Sequence, residues 1–197
     1  MTDSELISEE KWLGRLEIFL GKISTYNMEV VKNKFQPNLS YEQKWDLLHE
    51  LIIAAFFHKA ENIKFMDDSS QSHCEFIEHE KEYEVKFINL SNVEKCRLEQ
   101  VTKNKGWLSI GTPSISSDQK VIEAATKKSI EHIEKANNQI KNPEGLIYLI
   151  ISMEGFSNSN RHFKLSSTER FDAVLKNINK LNSINPVKVL PGDFFRG

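Results

Sequence analysis

The stretch His73-Cys74-Glu75-Phe76-Ile77-Glu78-His79-Glu80-Lys81-Glu82-Tyr83-Glu84-Val85-Lys86-Phe87 reads as two short strands joined by a tight turn. The spacing predicts strands over 74–78 and 82–88. With Glu80 and Lys81 at the tip of a two-residue turn, His79 faces Glu82, Ile77 faces Glu84 and Glu75 faces Lys86. Side chains alternate along a strand, so Glu75, Glu84 and Lys86 then project from one face. Tyr83, Val85 and Phe87 point the other way, where they can pack on a helix, and Cys74 turns to the core side as a small hydrophobe. Opposed cross-strand Cβ atoms lie ~5 Å apart and diagonal ones ~7–8 Å. Two carboxylates at that spacing can share one hard divalent cation, and a lysine beside them can polarise a water. A slip of one residue in the register would scatter the three groups.

Outward from the hairpin the apolar period is helical. Residues 9–34 carry Trp12, Leu13, Leu16, Phe19, Leu20 and Ile23 at three- and four-residue spacing, which predicts one or two helices. Pro37 stops them, and Ser40 is a natural N-cap for a helix over 41–60. Trp45, Leu48, Leu51, Ile52, Ala55 and Phe56 fall on one broad face there, as expected of a helix lying on a sheet. Ile63–Met66 reads as a short strand. The segment 118–141 is an amphipathic helix ended by Asn142-Pro143. The apolar run Leu146–Ser152 has the length and texture of a strand buried on both faces. Ser166-Ser167-Thr168-Glu169 opens a helix over 167–182 with a capping box, and Pro186–Leu190 adds a last strand. Residues 91–117 fit no period. The order predicts an α/β or α+β sandwich around one mixed sheet, with residues 1–40 as a helical extension packed on a domain of residues 41–197.

An acidic residue on one strand, a hairpin, and Glu84-Val85-Lys86 on the next together resemble the PD-(D/E)xK nuclease superfamily, the restriction-endonuclease-like fold. The run of helix, three strands, long helix and buried strand over about 41–152 is similar to that superfamily's αβββαβ core. The resemblance implies a metal-dependent nuclease acting on phosphodiester bonds, in DNA ahead of RNA. It casts Glu84 as a Mg²⁺ ligand, with Mn²⁺ able to substitute, and Lys86 as the group positioning the nucleophilic water. Glu75 falls where the family usually has aspartate, and Glu50 where many members carry an extra acidic ligand. Gln139 stands on the helix from which some members extend a glutamine. No Pro-Asp dipeptide is present.

Composition narrows the alternatives. The 197 residues carry 26 Lys+Arg against 28 Asp+Glu, a net charge of −2 that excludes gripping nucleic acid by overall charge. A local patch remains, and Lys95, Arg97, Lys103 and Lys105 form the best candidate for phosphate-backbone contact, with Trp107 following as a core or stacking residue. Lys120, Lys127, Lys128 and Lys135 read instead as a solvated helix face. Two cysteines with no CxxC spacing point to a reducing compartment, and the acidic N-terminus is no signal peptide. No run reaches the ~18 apolar residues of a membrane span. These features predict a cytoplasmic protein without membrane contact, in which homodimerisation through residues 9–34 is an open option. His73-x-Glu75 lacks the Pro-Cys-x-x-Cys of zinc deaminases, the histidines show no ligand spacing, and neither a phosphate loop nor a Gly-x-Ser-x-Gly elbow occurs. Two other readings compete with the nuclease: a non-catalytic protein on the same fold that binds nucleic acid or a partner protein, and an unrelated α/β module whose hairpin charges only decorate the surface.

Overall fold

The structure, a computed structural model, describes residues 9–67, 74–89, 117–153 and 164–192. Helices α1 (Glu9–Leu20) and α2 (Thr25–Lys34) precede α3 (Tyr41–Phe57). Strands β1 (Ile63–Phe65), β2 (Phe76–Glu78) and β3 (Lys81–Asn89) follow, then α4 (Asp118–Gln139), β4 (Leu146–Ser152), α5 (Ser167–Ile178) and β5 (Val187–Pro191). Serines start four of the helices. Ser24 and Ser117 accept the amides of Asn27 and Lys120, and the Ser40–Gln43 and Ser166–Glu169 pairs close full capping boxes.

The strands form one five-stranded mixed sheet in the order β1-β2-β3-β4-β5. The β1–β2 and β2–β3 pairs are antiparallel, and β3–β4 and β4–β5 are parallel. A parallel β3–β4 pair requires a crossover, and α4 lies within that connection. Helices flank both faces. Tyr83, Val85, Tyr148 and Ile150 share one core with Leu16, Phe19, Val30, Ile52 and Ile53 of α1–α3. Ile147, Leu149 and Ile151 face the other way, with Val121, Ala125 and Ile133 of α4 and Val174 and Ile178 of α5. Strand β4 is thus buried on both faces, as its unbroken apolar run implied. Burial on α3 is wider than the expected stripe, because Ile53 and Ala54 are enclosed as fully as Ile52.

Polar side chains lock these layers together. Asn27 of α2 donates from Nδ2 to the Ile63 carbonyl at 2.7 Å and accepts the Phe65 amide at 3.0 Å, both in buried surroundings. Asp118, at the start of α4, accepts the amides of Lys164 and Leu165 and Nε of the fully buried Arg170 at 2.6 Å, which ties α4 to α5. Glu82 accepts the amides of Lys141 and Asn142 and so fixes the end of α4 over β3. Gly145, just before β4, passes so close to its surroundings that a Cβ there would meet Ile140 Cγ2 at 2.4 Å and the Asn142 and Glu82 carbonyls at 3.0 Å.

The hairpin corrects one expectation. Its tip is His79-Glu80, not Glu80-Lys81: Glu78 pairs with Lys81, Ile77 with Glu82 and Phe76 with Tyr83. Both tip residues have positive φ, 48° and 66°, as a type I′ turn requires at its two central positions. The pairing is offset by two residues from the expected one. An even offset preserves which side chains share a face within the paired strands, so Glu84 and Lys86 stay together, while Glu75 lies just beyond the paired residues.

Candidate metal-binding and catalytic cluster

Alternation along β3 settles where the two central groups point. Tyr83 and Val85 lie in the α1–α3 core, so Glu84 and Lys86 project to the opposite face, toward α4. Glu84 is wholly buried there. The Lys86 ammonium touches Glu84 Oε1, and Oε2 has no hydrogen-bond partner among the described residues. A buried carboxylate oxygen left without a donor is rare, because it forfeits hydration with no return. Burial, reinforced by the charge of Glu75, pushes the Glu84 carboxyl up to about 8, with Lys86 and Lys34 pulling the other way.

Glu50 belongs to the other layer. It sits on α3, one residue past His49, whose ring stacks on Phe87 with centroids 3.9 Å apart. Glu75 stands between the two layers, just before β2. Strand alternation breaks at this residue: Phe76 enters the α1–α3 core, whereas Cys74 and Ile77 both pack with the α4–α5 core. The Glu75 amide donates to the Tyr83 carbonyl at 2.9 Å, and its carbonyl accepts the Met66 amide at 3.0 Å.

The group that joins these carboxylates is Lys34, the last residue of α2. Its Nζ lies 2.9 Å from Glu75 Oε2 and 3.3 Å from Glu50 Oε2, and its side chain is only 6% exposed. Burial, and then the neighbouring Glu75 charge, hold the Glu50 carboxyl well above the usual carboxylate range even with Lys34 beside it. The structure therefore brings Glu50, Glu75, Glu84 and Lys86 into one electrostatic neighbourhood, on a scaffold of α2, α3 and the β2–β3 hairpin. The expected Glu75–Lys86 pairing is absent: Glu75 pairs with Lys34, and Lys86 with Glu84. Among the described residues no group of three or more His, Cys, Asp or Glu side chains is arranged to hold a metal ion.

Sequence reasoning passed over Lys34. A basic residue in the last turn of a helix is ordinary, and nothing in spacing reveals that it reaches a residue 41 positions away. Lys95, Arg97, Lys103, Lys105 and Trp107 lie outside the described residues, and Gln139 is half-buried at the end of α4. His58 makes a separate buried network, with Nδ1 2.7 Å from Glu78 Oε2 and Nε2 3.2 Å from the Tyr148 hydroxyl. Burial lowers its pKa despite Glu78, which suits a neutral imidazole bridging β2 and β4 through both ring nitrogens. No described helix is long and apolar enough to cross a membrane. No family model, no curated protein and no solved structure matches this chain.

Proposed function

We propose that the chain is a metal-dependent nuclease of the restriction-endonuclease-like kind, hydrolysing phosphodiester bonds in DNA. The observation that carries this reading is the fully buried Glu84, with an oxygen that meets no donor among the described residues, set beside Lys86 and Glu75. A folded protein keeps an incompletely satisfied acid in its interior chiefly where the acid has work to do. The α3-β1-β2-β3-α4-β4 order, with helices on both faces of a mixed sheet, supports the same reading through its likeness to the αβββαβ core.

The donor set fits a hard cation. Glu84 Oε2 has no hydrogen-bond partner among the described residues, and Glu75 meets Lys34 through Oε2. Glu75 and Glu84 would hold Mg²⁺, with Mn²⁺ as a substitute, and water would complete the shell. When bound, the ion supplies charge neutralisation at the scissile phosphate and a more acidic water. Lys86, 19% exposed at its side chain, is the member of the cluster with the freest access to solvent and positions the attacking water. Lys34 sets the net charge of the site. Lys95, Arg97, Lys103 and Lys105 would contact the phosphate backbone, on the strength of their charge pattern.

One observation favours a non-catalytic protein on the same fold: Lys34 already neutralises Glu50 and Glu75. A calorimetric Mn²⁺ titration separates the two readings. The nuclease binds the ion, loses binding in Glu84→Ala, and loses about 10²-fold or more of its DNA cleavage rate in Lys86→Ala with its circular dichroism unchanged. Cleavage that survives both substitutions refutes the assignment, and absence of binding in the wild type favours the non-catalytic protein.

A further inference from the structure

Building on that metal-site reading, we infer that Lys34 takes the place of a second divalent cation. The cluster then accepts a single ion, held by Glu75 and Glu84, while Glu50 serves the lysine and not the metal.

The geometry divides the three carboxylates in two. Glu50 approaches Glu75 from the α3 layer, and the Lys34 ammonium already bridges them at 3.3 and 2.9 Å. Glu84 approaches from the α4 layer and brings a wholly buried oxygen, Oε2, that no donor among the described residues meets. The first position has a buried ammonium between its two carboxylates; at the second, Lys86 meets Glu84 through one oxygen, Oε1, and is itself partly open to solvent. Charge balance gives the same division. Once a bound cation has displaced their protons, the three carboxylates and the ammoniums of Lys34 and Lys86 sum to −1, which one divalent ion turns to +1 and two would turn to +3. An excess of three charges in so enclosed a place is strongly disfavoured. Without Lys34 the start is −2, and two ions end at +2 with three carboxylates to share. The ammonium also has a fixed length and tether, so its position does not depend on the metal supply. The site would therefore combine one exchangeable cation with one permanent cation.

Counting ions tests this. Calorimetry and electron paramagnetic resonance with Mn²⁺ alone should give one ion per wild-type chain, with the spectrum of an isolated ion. Lys34→Met should take up a second equivalent and show a spin-coupled pair, whereas Lys34→Arg, which keeps the charge, should stay at one. Glu50→Gln should still bind one ion, within about threefold of the wild-type affinity, and this arm decides the matter if Lys34→Met does not fold. Two ions in the wild type, a loss of thirtyfold or more in Glu50→Gln, or a folded Lys34→Met that binds one ion at wild-type affinity would each overturn the inference and leave the metal site standing. No ion in the wild type removes the metal site itself, and the inference with it.

Discussion

Glu84→Gln replaces a buried acid by a neutral side chain of nearly the same shape, and its effect on stability can be worked from the structure. The folded protein holds the Glu84 proton up to about pH 8, whereas the unfolded chain releases it near 4.5. Folding therefore retains a proton that unfolding gives up, and stability falls as pH rises through that interval. Integrating the two titrations gives a penalty below about 1 kcal/mol at pH 5 and about 4 kcal/mol at pH 8. Glutamine carries no such penalty, but it leaves Lys86 without its counter-charge and its own amide without partners, a cost of about 1–3 kcal/mol at every pH. The absolute change at pH 5 is thus a loss. The informative quantity is the gap between variant and wild type, which should move by about 3 kcal/mol in the variant's favour from pH 5 to pH 8. Glu50 is raised by burial and by Glu75, with Lys34 opposing, and these groups are the same in both proteins, so its titration largely cancels in that comparison. Urea melts in EDTA at pH 5, 6.5 and 8 measure the gap. For a chain of this size it corresponds to roughly 6–12 °C in melting temperature. A gap that stays constant with pH, or moves against the variant, refutes the account of Glu84 as a buried, uncompensated acid.

The remaining predictions concern the scaffold. Arg170→Ala removes a fully buried guanidinium and strands Asp118, and should cost about 3–5 kcal/mol in the same melts. Asn27→Ala strips partners from the Ile63 carbonyl and the Phe65 amide and should cost about 2–4 kcal/mol, with faster amide exchange at Phe65 as its local signature. Gly145→Ala drives a methyl group into Ile140 and two backbone carbonyls, and should lower the melting temperature by several degrees, roughly 2–4 °C per kcal/mol lost.

Most of the architecture was legible because the sequence changes period where the structure changes element. The serine caps at 40 and 166 mark helix starts, and the run from Leu146 to Ser152 marks the central strand. The hairpin tip was not legible, since His79-Glu80 carries neither the glycine nor the asparagine that usually announces two left-handed residues. The misplacement did little harm because the offset was even. The break in alternation at Glu75 has no local signature at all, so the sequence could not show that Glu50 and Glu84 sit in different layers. The ligand candidates followed from residue type and strand parity. Lys34 did not, because an ion pair closed across the fold leaves no periodic trace. The histidine spacing held no sign of His58's role, which in the structure is a buried, hydrogen-bonded one.

The Asn27 amide also has a bearing on how copies of this protein meet. Strand β1 is the outer strand on one side of the sheet, and the Ile63 carbonyl and Phe65 amide point away from β2, toward a place where a foreign strand could add. One asparagine satisfies both groups and imitates a single residue of that missing strand, so the border is closed by a side chain and not by another length of backbone. On the far side, β5 ends in Pro191, which has no amide to offer, and presents the charged, exposed Lys188. Among the described residues, one border is thus closed by mimicry and the other carries a missing donor and a charge, two features that discourage the addition of a foreign strand.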